Sequence, residues 1–97
     1  MKIELTPAQQ QVLHRAVEKY GRRAQLIKCA EELRELALEL ERAACGEGEL
    51  FHIVDERADV FIMLHQLDEL LITGMRPHVQ ERVDYKVERL AGRLGDG

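Results

Sequence analysis

The sequence predicts an all-α antiparallel bundle of about four helices, one domain over residues 1–97, assembling as a homo-oligomer. Three observations lead there. Apolar residues recur at three- and four-residue intervals along most of the chain, no segment alternates as a strand would, and helix punctuation stands at Pro7, Gly21, Gly46, Gly74 and Pro77. No internal repeat, low-complexity run or linker divides the chain. An apolar fraction of 45% in 97 residues is enough for a core but a small one, so burial between copies would help.

The first helix starts at Thr6-Pro7, with Thr6 as N-cap and Pro7 where its missing N–H costs nothing, and runs to about Lys19. Leu13, Ala16, Val17 and Tyr20 give it a modest apolar stripe, and Gly21 lets the chain stop or bend. A second helix over about Arg22 to Ala44 is rich in good helix formers, with Gly46 at its end. Leu26, Cys29, Ala30, Leu33, Leu36, Ala37, Leu40 and Ala44 form its expected seam. The third helix, about Leu50 to Leu71, packs Ile53, Val60, Met63, Leu64, Leu67 and Leu71 against that seam. Ala58, Phe61 and Ile62 lie off its core stripe, which predicts a second packing interface. Thr73-Gly74 closes it, and Pro77 opens a fourth helix to about Leu94 with a seam of Val79, Val83, Val87, Leu90 and Leu94.

A net charge of −4 gives no electrostatic footprint for nucleic acid or a membrane surface, and no apolar run approaches spanning length. Cys29 and Cys45 are too far apart along one helix to bridge and read as small buried hydrophobes; with no CxxC pair and no signal peptide, the sequence predicts a cytoplasmic protein.

The chemistry-bearing residues are carboxylates. Glu32 and Glu35 stand three apart on the second helix, as do Glu56 and Asp59 on the third, a spacing that puts each pair on one helix face. An isolated pair of this kind is ordinary solvated surface in a chain with 33% charged residues. Here an antiparallel hairpin sets Glu35 level with Glu56 and Glu32 level with Asp59, and Glu56 falls inside the apolar stripe. Converging, partly buried carboxylates repel and desolvate one another unless a cation neutralises them. An all-oxygen ligand set suits Mg²⁺ or Mn²⁺, which keeps waters for a phosphate-bearing substrate. Lys28, one turn before Glu32, either pairs with it or balances phosphate charge. On the fourth helix Arg82, Lys86, Arg89 and Arg93 stack along one flank; their heads either stay in water or meet an anion brought from elsewhere. His14, His52, His65 and His78 form no metal motif, although His52 lies one turn before Glu56, near enough to reach a pocket rim.

The runs Ala16-Val17-Glu18-Lys19-Tyr20-Gly21, Gln25 to Leu36 with Glu31-Glu32-Leu33-Arg34-Glu35 inside it, and Asp55-Glu56-Arg57-Ala58-Asp59-Val60 resemble the MazG-like branch of the all-α nucleoside triphosphate pyrophosphohydrolases over most of the chain. The resemblance implies Mg²⁺ held by Glu32, Glu35, Glu56 and Asp59, which would also be the catalytic set, with Glu31 the motif's additional acid. The family's Asn-x-Lys-x-x-Arg element reads Asp84-Tyr85-Lys86-Val87-Glu88-Arg89 here, so Lys86 and Arg89 match as substrate-binding residues and Asp84 departs. The implied reaction cleaves a nucleoside or deoxynucleoside triphosphate to the monophosphate and pyrophosphate, often to clear unwanted nucleotides, in a homodimer or homotetramer. Phosphoribosyl-ATP pyrophosphohydrolase of histidine biosynthesis shares the metal motif and the bond cleaved and stands as the second enzymatic reading. A non-catalytic helical adaptor, with the third helix's outer face as its partner surface, is the reading of another class.

Overall fold

The computed structural model describes residues 2–95, and among them all regular structure is helical: α1 Pro7–Tyr20, α2 Arg22–Ala44, α3 Leu50–Gln66 and α4 Arg76–Arg93, with a π-helical turn Leu67–Leu71 prolonging α3. Local chemistry explains the boundaries. Thr6 caps α1 through a reciprocal box: its hydroxyl accepts from the Gln9 amide at 3.1 Å while the Gln9 side chain accepts from the Thr6 amide at 2.8 Å. Gly21, at φ +86°, makes the joint to α2 in a conformation other residues resist. At the far end of α2, Gly46 (φ +78°) donates to the Ala43 carbonyl at 3.0 Å and Glu47 to that of Arg42 at 2.8 Å, a Schellman closure that turns the chain toward α3.

The α2/α3 hairpin is the centre of the fold, and α1 packs across it, touching α2, α3 and the π turn. The core is small: Leu13 of α1, Cys29 of α2, Val60 and Met63 of α3, and Leu71 of the π turn are buried, together with Gln25, Glu32 and Gln66. Helix 3 was expected to run unbroken to Leu71. The chain instead widens after Gln66 into a π turn, and the Leu71 carbonyl is taken up by the Arg22 guanidinium, whose Nε donates at 2.8 Å. Tyr20 and Cys45, expected inside, are exposed, because α1 reaches the hairpin with Leu13, Ala16 and Val17 alone and Cys45 lies past the last helical residue of α2. The seam of α2 is likewise covered only in its first half; Leu33, Ala37, Leu40 and Ala44 are exposed.

The fourth helix stands outside this unit. None of its residues is buried, and Val83, Val87, Leu90 and Leu94 are 46, 60, 51 and 69% exposed. Its base is held by an Arg76–Glu69 ion pair at 2.6 Å. The projection makes the chain long, at 48 × 36 × 28 Å, with a radius of gyration of 16.2 Å against about 12.5 Å for a compact chain of this length. No helix among the described residues is long and apolar enough to cross a membrane.

Candidate metal centre

Hairpin register brings the four carboxylates together. Oxygens of Glu32, Glu35 and Glu56 lie within 4.8 Å of one another, and so do oxygens of Asp55, Glu56 and Asp59. Glu56 belongs to both groups and is therefore the pivot. Their surroundings differ as the apolar stripes dictate: Glu32 is buried at 5% exposure, Glu56 and Asp59 are half-buried, and Glu35 is exposed.

The countercharge in the chain is small. Lys28 Nζ sits 2.8 Å from Glu32 Oε1, one helical turn away, and this bond and the charge of Glu32 raise the Lys28 pKa. The second oxygen of Glu32 is buried with no hydrogen-bond partner, as is one oxygen of Glu56. Loss of water first, then a hydrogen bond with Glu35 and the charges of Glu35, Asp59 and Glu32, push the Glu56 carboxyl above its ordinary pKa. Asp59 is raised as well, by burial and then by the charges of Glu32 and Asp55. A site in which burial and like charges disfavour ionised carboxyls, while oxygens go unpartnered, fits a hard divalent cation: the ion would satisfy the oxygens and oppose the cause of the shifts.

Asp55 is the residue that sequence reasoning quoted without giving it a part. It precedes Glu56 directly and stands four residues before Asp59, a spacing that also shares a helix face and could have drawn attention to it. Glu39, one turn beyond Glu35, pairs with Arg42 at 3.3 Å and keeps its other oxygen buried and unpartnered, which extends the acidic edge of α2. His52 lies 3.9 Å from Glu49 on its own helix.

Lys86 and Arg89 are not brought to the cluster by their own helix's packing, since α4 buries nothing against α2 or α3. Arg89 and Arg82 instead flank the Tyr85 ring, at 5.8 and 4.7 Å from its centre. Grooves on the outer side of α3 under the N-terminal segment and beside Tyr20, Gln25 and Lys28 are not lined by Glu32, Glu35, Glu56 or Asp59. The carboxylates form a cluster graded from buried Glu32 to exposed Glu35 along the hairpin.

Compared with known proteins, the chain matches no protein-family model, no curated protein and no solved structure.

Proposed function

We propose that the protein is a Mg²⁺-dependent nucleoside triphosphate pyrophosphohydrolase of the MazG-like kind, cleaving a (d)NTP to the monophosphate and pyrophosphate. The observation that carries the reading is the pair of carboxylate triads sharing Glu56, with unpartnered buried oxygens on Glu56 and Glu32. Surface acids need no such convergence, and a structural ion-pair network would have supplied more cations than Lys28.

On this reading Glu32, Glu35, Glu56 and Asp59 hold the metal, Asp55 adds an oxygen at its edge, and Lys28 fixes the Glu32 carboxylate in place. When bound, Mg²⁺ supplies charge neutralisation at phosphate oxygens and acidifies water into a nucleophile at neutral pH. Glu35, the most exposed of the four, accepts the proton of the attacking water; undiminished turnover in Glu35→Gln would remove that assignment. Lys86 and Arg89 balance phosphate charge as substrate enters. Because α4 leaves its apolar seam uncovered, the working form is a homodimer or homotetramer.

The deciding experiment measures pyrophosphate release from canonical and modified NTPs and dNTPs, and from phosphoribosyl-ATP, with and without Mg²⁺. Wild type should release pyrophosphate only with the metal. Glu56→Gln should lose at least about 100-fold, since even groups behind metal ligands are worth 10–100-fold. Absence of turnover across the panel by folded, metal-loaded protein would defeat the proposal.

A further inference from the structure

The outer side of α3 and the free side of α4 are complementary in three respects, two of charge and one of apolar surface. Val54, Ala58, Phe61 and Ile62 of α3, with Ile3 and Leu5 of the N-terminal segment, line a groove of about 390 Å³ whose walls are mostly apolar. At about 100° per residue, Asp55 and Asp59 lie along one edge of this α3 face and Arg57 along the other. The seam of α4 has the opposite borders: Arg82, Lys86, Arg89 and Arg93 on one side, and Asp84 and Glu88 on the other. Arg82, Lys86 and Arg89 have no acidic residue three or four positions away on α4, so helix pairing does not use them.

We infer that α4 of a second copy of this chain lies in the α3 groove, its cationic edge against Asp55 and Asp59 and its acidic edge against Arg57. This rests on the homo-oligomer part of the function proposed above and specifies its interface. The right-handed sense of both helices fixes the direction. Only with α4 running parallel to the partner's α3 do both edges meet opposite charge; reversed, Asp84 and Glu88 would face Asp55 and Asp59. The arrangement is reciprocal between two copies, as a two-fold dimer requires. It also delivers Lys86 and Arg89 to the carboxylate cluster from the neighbouring chain, which its own α4 does not do.

The test is sedimentation equilibrium of the full chain, with circular dichroism to monitor folding. Wild type should be a dimer at micromolar concentration. Val87→Asp should be monomeric with unchanged helicity, because Val87 buries nothing in its own chain. Arg57→Glu should weaken the dimer more than tenfold, and adding Asp84→Arg and Glu88→Arg to it should recover at least half of that loss. A monomeric wild type, a Val87→Asp dimer, or a charge swap that recovers nothing would each overturn the docking. Catalysis is read separately: monomeric Val87→Asp should keep its Mg²⁺-dependent thermal shift and lose pyrophosphate release. If wild type dimerises as described yet turns over nothing, the enzymatic reading falls and the interface stands.

Discussion

Divalent metal should stabilise this protein in a pH-dependent way, and the cause can be followed through two side chains. Glu56 and Asp59 have folded pKa values above their ordinary 4.5 and 3.8. A carboxyl raised on folding binds its proton more tightly in the native state. Well below both ordinary values both states are protonated and the pair costs nothing; as pH rises through the ordinary values the unfolded chain releases protons first, and native stability falls until the raised values are passed. The metal-free protein should therefore lose stability from this pair as pH rises above the ordinary values, and Mg²⁺ should restore it there. At ten times its dissociation constant a native-state ligand adds about 1.4 kcal/mol. For a domain of this length that is a rise in Tm of about 6–11 °C. The assay is thermal unfolding followed by circular dichroism at pH 5, 6, 7 and 8, with EDTA or with Mg²⁺, for wild type and Glu56→Gln/Asp59→Asn. The double variant should melt higher than wild type in EDTA at pH 7 and gain little from Mg²⁺. A wild type indifferent to Mg²⁺ up to about 10 mM, or one whose EDTA stability relative to the double variant does not decline with pH, would refute the reasoning.

Lys28→Gln removes the ion-pair partner of buried Glu32, so its Tm in EDTA should fall while its Mg²⁺-induced rise grows beyond that of wild type, measured in the same melts. Met63→Ala, at a site 6% exposed, should cost about 2–5 kcal/mol by urea unfolding, enough to threaten so small a core. Thr6→Ala breaks the capping box and should cost about 1 kcal/mol in the same experiment, leaving metal affinity unchanged.

The helices and their order were legible because punctuation and periodicity are local properties. Thr6-Pro7 and Gly46 ended up where their backbone preferences require, and the level pairing of Glu35 with Glu56 followed from hairpin geometry. Cover was not legible. The same periodicity that buries Cys29 and Val60 also describes Leu40 and Val87, yet these face water, since a stripe states that an apolar partner is needed without saying whether the chain itself provides it. The π turn escaped notice for a related reason: its stabiliser, the Arg22 to Leu71 contact, joins residues 49 positions apart. Of the proposed site, the four acids come together while Lys86 and Arg89 stay on a helix the chain leaves unpacked.

The exposed seam and the crowded carboxylates have a common physical logic. Five apolar side chains buried among the described residues leave little stability in reserve. Against that, a buried polar atom without a partner, such as the free oxygen of Glu32, costs about 1–3 kcal/mol. A chain under those terms gains little by keeping acids in its apolar seam unless the state in which it works supplies what they lack. Bound Mg²⁺ would supply charge and ligand bonds. A second copy docked as inferred above would supply apolar cover on α3 together with the cations of α4, beside the same acids. The two contributions should then overlap, because a cation arriving from either source lowers the same cost of ionising Glu56 and Asp59. Since Mg²⁺ and the cations of a docked partner would compete for the same negative field, the gain should be less than additive, and Mg²⁺ should raise the Tm of Val87→Asp by more degrees than that of wild type.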